Sequence, residues 1–520
     1  MNFSRLLLSV WLLPSALFAQ TVLVKPYVQP GNGTVLEGAD VKVIAWLTDQ
    51  TPGNFTVEYA VEGGALKTAA PERVALDFQV EKSAAVQAPP APTAAATASG
   101  SSIPVTLEEV TKDIIKALAP PLSPKEQRYF KYAATLTELP FDSEVAYRVR
   151  LGGTVVREGK FRTRASAGKT VRFVMVGDLA QGKAEQNAIA FQISKAAPEF
   201  LVALGDIVYS AGRVSEYLHH FWTTYNDPPA TSAKTGAPLM ASIPFYPVIG
   251  NHDADTLRLP ETRDAYGAFY FFHGPQNGPG LGPWNPPLGK DATVAAAFRA
   301  AVGASYPALC VYSFDYGPAH FVVLDTNGYN SASFLQLVPW LEQDLRASQQ
   351  PWKIVCFHAP AFHTSPQHYT EQKMRLLEPV FAANGVDMVF SGHVHNYQRS
   401  KPLRFTPNPA VRDARGRVNG DFVFDEEFDG VTKTEPRGII HVVSGGGGAQ
   451  LYNAKDYDKM VAQLAKDNPG NYVPLTAKYI ADKHSFSLIE LSPAELVLKQ
   501  ISIDGVEIDR VRITKGAAAK

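Results

Sequence analysis

Beyond Gly168 the chain is written in short apolar runs, most of which stop on a polar residue of one chemical kind. VRFVMV leads into Gly177-Asp178, EFLVAL into Gly205-Asp206, FYPVI into Gly250-Asn251-His252, KIVCF into His358, and VDMVFS into Gly392-His393 with His395 two residues on. HFVVLDTN (320–327) and IIHVVSGGGG (439–448) complete the series. Near-continuous apolar runs of this length are buried strands, and in open α/β sheets the carboxyl ends of the strands form the ligand crevice. Side chains far apart in sequence therefore meet at one end of the sheet. Carboxylate, amide and imidazole groups in this number exceed the needs of one ion. Two ions ~3.5–4 Å apart, bridged by a shared carboxylate, suit displacement at phosphorus. Taken singly each ending is weak, since Gly-Asp after a strand is commonly a turn and a strand-end histidine is commonly structural. Gly392-His393-Val394-His395 is stronger, because period-two geometry puts both rings on one side of the backbone.

Between these runs, 183–196 carries Ile189 and Ile193, 333–348 carries Phe334, Leu337, Leu341 and Leu345, and 370–384 carries Met374, Leu377 and Phe381 at helical spacing. This part is α/β. Residues 274–290, rich in Gly, Pro and Asn, read as a long surface loop near the site. From Phe486 the tail alternates again and turns at Asp504-Gly505, so a closing hairpin returns to a sheet. The region before Gly168 alternates in runs at 41–49, 54–64, 129–139 and 144–153, which predicts an antiparallel β-sandwich. Inside it, 83–102 is almost wholly Ala, Pro, Ser and Thr and reads as a flexible insertion; a capping box at Thr106 and Glu109 then starts a short amphipathic helix that Pro120-Pro121 stops.

With 49 Lys and Arg against 50 Asp and Glu, the net charge of −1 gives no bulk attraction for nucleic acid or an anionic membrane. A basic start, Met1–Arg5, an apolar stretch, Leu6–Phe18, and Ala19 read as a signal peptide, which predicts a secreted or periplasmic protein. No later segment approaches the ~20 apolar residues of a membrane span, so no stable membrane insertion is expected after cleavage. Cys310 and Cys356, the only two cysteines, are expected as buried free thiols in apolar strands. Gly445–Gly448 lacks the Lys-Ser/Thr of a phosphate loop and reads as close backbone packing beside the site.

The series GDLAQ (177–181), GDIVY (205–209), GNHD (250–253), VCFH (355–358) and GHVHNYQR (392–399) resembles the purple acid phosphatases, within the calcineurin-like metallophosphoesterases. PYVQP (26–30) and WLTD (46–49) resemble the fibronectin-III-like domain of the large plant-type members. The resemblance implies a signal peptide over 1–19, a fibronectin-III-like β-sandwich over 20–166 interrupted at about 83–127, and an α/β metallophosphoesterase domain over 167–515, itself a β-sandwich flanked by helices. It implies Fe(III) held by Asp178, Asp206, Tyr209 and His395, and a divalent Fe, Zn or Mn held by Asp206, Asn251, His358 and His393. Hard anionic oxygens at the first position and neutral amide and imidazole groups at the second agree with that division. Tyr209 would replace the histidine that the wider superfamily carries two residues after the first Asp, where this chain has Ala180.

His252 and His368 are implied as the groups near the phosphoryl and leaving oxygens, with Gln367 binding substrate where plant-type members have a second histidine. Gln cannot act as a general acid, so leaving-group protonation falls to His252 or His368. His363 is expected as a pocket-wall or surface residue, and His219, His220 and His273 as incidental. The implied activity is hydrolysis of small phosphate monoesters by a metal-activated hydroxide with an acidic optimum. A phosphodiesterase or nucleotidase on the same centre is the enzymatic alternative. A secreted binding protein with a vestigial metal domain is the non-catalytic one.

Overall fold

The computed structural model describes residues 21–49, 51–78, 127–259, 262–279, 285–330, 334–452 and 456–515. The signal peptide, the Ala/Pro-rich stretch and its capping-box helix lie outside these residues. Among the described residues, eight strands form the N-terminal region: β1 (Val22–Pro30), β2 (Asp40–Thr48), β3 (Phe55–Val61), β4 (Lys67–Ala69), β5 (Glu72–Phe78), β6 (Gln127–Leu139), β7 (Glu144–Leu151) and β8 (Thr154–Arg162). They pair antiparallel in two sheets, ordered β1-β2-β6-β5 and β4-β3-β7-β8. Alternate residues face inward, and Trp46, stacked on Tyr132 at 5.3 Å, packs among Ile44, Val57, Val145 and Val149. β5 and β6 pair directly, from Glu72 opposite Ala133 to Phe78 opposite Gln127, with β5 at the sheet edge.

The C-terminal part is built on two further sheets. The first holds β9 (Val171–Val176), β10 (Phe200–Ala203) and β11 (Phe245–Pro247), which are parallel. The second holds β12 (Tyr312–Tyr316), β13 (Ala319–Leu324), β14 (Trp352–Phe357), β15 (Met388–Ser391), β16 (Tyr397–Ser400), β19 (Ile440–Ser444) and β20 (Thr476–Ile480); β17 (Leu403–Pro407) and β18 (Gly420–Phe424) form a separate hairpin. In it β13, β14, β15 and β19 run parallel. The tail adds β21 (Ser485–Leu491), which pairs antiparallel with β9, and then β22 (Glu495–Ser502) and β23 (Glu507–Thr514), each antiparallel to the strand before it, completing the order β11-β10-β9-β21-β22-β23. The Asp504-Gly505 turn thus closes a hairpin onto the first sheet, with Gly505 at φ 77°. An aromatic layer fills the gap between the sheets: Phe173 meets Phe321 edge-on at 5.3 Å and Tyr246 stacks on Phe314 at 3.8 Å. The parallel strands of both sheets place their carboxyl ends around one cleft.

Three expectations need correction. The helix predicted from 370 begins as a tight turn at Lys373–Leu377 and becomes α-helical only at Glu378–Ala383, because His368 at φ 63° bends the chain before it. Of the 274–290 loop, the described residues before 280 lie against the edge strand β12, where Asn277 accepts from the Ser313 amide at 3.1 Å, rather than against the strand ends that carry the candidate site. Cys310 is buried in the turn before β12 and not in a strand, whereas Cys356 is in β14. Burial pushes both thiols up, so neither is an activated nucleophile.

On β13, His320 is clamped between Asp315 (Nδ1 to Oδ1, 2.7 Å) and Asp344 (Nε2 to Oδ2, 2.9 Å). Burial opposes its charge, but the hydrogen bonds to Asp315 and Asp344 prevail and push it up from 6.5 to about 9. A raised histidine stabilises fully below its unfolded value and loses that contribution as pH rises through about 9. Urea midpoints should therefore fall between pH 6.5 and 9.5, and His320→Asn should flatten this dependence while lowering stability at pH 6; equal pH profiles for the two proteins would refute the clamp.

Candidate metal centre

The backbone brings the strand-end groups together by unusual means. Asp178 (φ 60°), Asp206 (φ 49°) and His393 (φ 65°) all sit in the left-handed region, which costs non-glycine residues ~1–2 kcal/mol each. Glycines before them let the loops close: a Cβ on Gly205 would lie 2.4 Å from His358 Nδ1, and one on Gly392 would lie 2.7 Å from Asp178 Oδ2. Such strain gathered in one cleft marks a functional site. The Gly445–Gly448 run packs beneath, where a Cβ on Gly447 would meet the Gly177 carbonyl at 2.3 Å. The Ala449 amide donates to the Asp178 carbonyl at 2.9 Å, which accords with close packing rather than a phosphate cradle.

Two groups of side chains result. In the first, Tyr209 Oη lies 2.8 Å from Asp178 Oδ1 and 3.0 Å from His395 Nε2, and these last two atoms are 3.3 Å apart. In the second, His358 Nε2 lies 3.2 Å from Asp206 Oδ1, 3.1 Å from Asn251 Oδ1 and 3.2 Å from His393 Nδ1. All seven candidate ligands are thus gathered, Asp206 attaching by these distances to the second group. One hydrogen on His358 Nε2 cannot serve three partners, and one phenolic hydrogen cannot serve both Asp178 Oδ1 and His395 Nε2. Donor atoms converging in this way fit cations. Outer contacts fix the imidazoles: His358 Nδ1 donates to the Leu204 carbonyl at 2.8 Å and His395 Nδ1 to the Gln450 carbonyl at 2.7 Å, so that each Nε2 faces inward and offers its lone pair to a cation once its proton is displaced.

The electrostatics point the same way. Burial works to raise Asp206, but the charges of His358 and His252 prevail and hold it far below the usual carboxylate range. Burial likewise opposes charge on His358, yet Asp206 drives it up to about 10. Burial pushes His393 down to about 4 against its hydrogen bond to Glu371, leaving a neutral imidazole. Burial, Asp178 and Asp206 together keep Tyr209 a phenol, so a phenolate there requires a cation.

His252 lies at the rim, its ring 4.6 Å from that of Tyr209, its amide donating to Asp206 Oδ1 at 2.8 Å and its Nδ1 bonded to the Ser210 carbonyl. His368 is also at the rim, its ring 3.9 Å from His393. Gln367, by contrast, is exposed and accepts from Ser365 Oγ at 2.9 Å, so its side chain turns back onto its own loop and is not joined to the centre. His363 is buried against Tyr369 and so is not a surface residue; burial first, then Arg375 and His368, push it down to about 3.

Sequence reasoning passed over several participants. Glu371 bonds His368 Nδ1 at 2.7 Å and His393 Nε2 at 3.0 Å. Tyr452 stacks on His395 at 4.3 Å and points its hydroxyl at His368 Nε2, 3.4 Å away. Asp253 accepts from the amides of Gly250 (2.9 Å) and Ile207 (3.1 Å), tying the second and third strand-end loops together. The fourth strand ends in Asp325-Thr326-Asn327: Thr326 Oγ1 accepts from the Ala359 amide at 3.0 Å, and Asn327 Nδ2 donates to the Gly250 carbonyl at 3.2 Å. Buried Lys373 donates to the Asn327 carbonyl at 2.7 Å and so ties the Glu371 segment to this scaffold. Only the Asp325 run shared the strand-end pattern that exposed the other groups.

Residues 171–397 match the calcineurin-like phosphoesterase family, and this stretch spans every candidate ligand from Asp178 to His395. The chain therefore contains a calcineurin-like phosphoesterase domain. Its homologues include purple acid phosphatases: purple acid phosphatase 18 of Arabidopsis thaliana is 25% identical over 327 residues, 61% of this chain and 58% of that protein. Purple acid phosphatase 1 of Ipomoea batatas is 26% identical over 291 residues, 53% of this chain and 54% of that protein. Each match spans less than two thirds of the relative. The structure of purple acid phosphatase PPD1 from yellow lupin (Lupinus luteus) seeds superposes with a TM-score of 0.55 at 17% identity, over 94% of this chain and 74% of that one, which is likeness of fold. Family homology implies a dinuclear metal centre, and Asp206, His358 and His393, like His368, Glu371 and His393, form groups that could hold a metal ion.

Proposed function

We propose that this protein is a secreted or periplasmic acid phosphatase acting on small phosphate monoesters. The observation that carries the reading is the convergence of Asp178, Tyr209 and His395 beside Asp206, Asn251, His358 and His393. Asp178, Tyr209, His395 and a bridging Asp206 would hold Fe(III); Asp206, Asn251, His358 and His393 would hold divalent Fe, Zn or Mn. Once bound, the pair supplies positive charge against phosphoryl oxygens and acidifies water.

The chain's own groups do the rest. Asp178, Asp206, Tyr209, His358, His393 and His395 are buried, whereas Asn251 is half-buried and the His252 and His368 side chains are each 29% exposed, so a phosphoryl group reaches the cleft from their side and the alcohol stays outside. Shallow seating of the alcohol favours monoesters with varied leaving groups. His252, its Nδ1 fixed by the Ser210 carbonyl, presents Nε2 to a phosphoryl oxygen. His368, its Nδ1 fixed by Glu371, presents Nε2 toward the leaving oxygen and, when protonated, delivers a proton there. The sheet-rich N-terminal region serves as a fibronectin-III-like platform, and the first nineteen residues as an export signal. Among the described residues no helix is long and apolar enough to cross a membrane.

Comparison of p-nitrophenyl phosphate with its bis-ester tests the substrate class: preference for the monoester is expected, and a higher kcat/KM on the diester would overturn it. A second test is optical. The iron-loaded protein should absorb visible light through an Fe(III)–phenolate transition that Tyr209→Phe abolishes. Full activity in a colourless, iron-free wild type would exclude the iron assignment.

A further inference from the structure

A single carboxylate joins the two halves of the proposed chemistry. Glu371 Oε1 accepts from His368 Nδ1 at 2.7 Å while Oε2 accepts from His393 Nε2 at 3.0 Å, and the two rings are tilted 49° with centroids 3.9 Å apart. His393 has its other nitrogen, Nδ1, 3.2 Å from His358 Nε2, at the second candidate metal position. A proton on His393 Nε2 is therefore what leaves a lone pair on Nδ1, and Glu371 Oε2 is the acceptor that keeps it there. His368 is treated alike: with Nδ1 bonded to Glu371, Nε2 is the atom turned toward the Tyr452 hydroxyl. Neither placement is a default of the loops, since His368 and His393 both occupy the left-handed region, at φ 63° and 65°.

Resting on the phosphoesterase reading above, we propose that Glu371 is a positioning residue that sets the His393 tautomer for metal binding and aims His368 for proton delivery. Glutamine at this position has one acceptor oxygen and an NH2 that only donates. It can accept from one imidazole and must present hydrogens to the other; if that other is His393, its proton moves to Nδ1, the atom the metal needs. The Glu371 side chain is 48% exposed, so the exchange leaves the packing of the core intact.

The test uses full-length, metal-loaded wild type, Glu371→Gln, Glu371→Asp and His368→Asn, with thermal midpoints to verify folding. Loss of the divalent ion to a chelator is followed by metal analysis, and kcat and KM are measured separately. Glu371→Gln should release one ion about 10–100-fold more readily while the other stays bound, and its kcat should fall below that of His368→Asn. Glu371→Asp, one methylene too short to reach both rings, should show the same pattern more weakly. His368→Asn should lose kcat and keep both ions. Retention of both ions by Glu371→Gln as firmly as by an active wild type overturns this inference alone. A wild type that binds no metal and cleaves no phosphoester overturns the proposed function and this inference with it.

Discussion

Asp206→Asn should lower kcat/KM on a phosphate monoester by about 10²–10³-fold, with most of the loss in kcat. The carboxylate is 2% exposed, faces His358 Nε2 at 3.2 Å and accepts the His252 amide at 2.8 Å. Asparagine keeps the shape and an oxygen for that amide, so folding should survive. What is removed is the anion proposed to serve both metal positions, in a site where His358 and His252 already place positive character. The loss should be accompanied by fewer ions per chain. Normal turnover with normal metal content would rule out a shared carboxylate.

Asp40→Asn should destabilise the protein by about 3–5 kcal/mol at neutral pH, the cost of leaving buried charge unpaired. Asp40 is fully buried between Lys42, whose ammonium contacts Oδ2, and Arg164, whose Nε donates to Oδ1 at 2.8 Å. Arg164 also donates to the carbonyls of Thr34 (3.3 Å), Val35 (3.2 Å) and Asp315 (3.1 Å), so this cluster fastens the N-terminal sandwich to β12 of the catalytic sheets. Burial opposes the Asp40 charge, but Lys42 and Arg164 prevail and hold its carboxyl below the usual range. Its stabilisation is therefore present above pH 3.8 and lost as pH falls through the lowered value. Urea midpoints at pH 7 measure the effect; a change below 1 kcal/mol would mean that the buried cations find other partners. The hydrogen bonds of this cluster go to Thr34, Val35 and Asp315 and to none of the candidate ligands, so specific activity of the folded fraction should be unchanged.

The features legible in the sequence share a period or a strand end. Apolar runs that stop on Gly-Asp, Gly-Asn-His or His marked the strands, and parallel pairing then dictates convergence at their carboxyl ends, as it does for Asp178, Asp206 and His358. Alternation likewise exposed β2, β3, β6 and β7 of the N-terminal sheets. Loop residues carry no such signature. Glu371 looks like one more surface acid until His368 and His393 are seen on either side of it, and Tyr452 is identified only by its stacking on His395. Gln367 shows the same limit: the left-handed turn at His368 separates the directions of neighbouring side chains, so adjacency in sequence does not place both in the cleft. Lys373 and Asn327 belong to a buried scaffold whose partners lie 46 residues apart and share no periodic pattern.

The most direct test of the central claim is a count of metal ions per chain on purified, full-length protein, made on the same sample whose phosphomonoesterase activity is measured. Two ions per chain, lost together with activity on chelation and restored together on reloading, are predicted. Full phosphatase activity in a sample holding no metal would contradict the account.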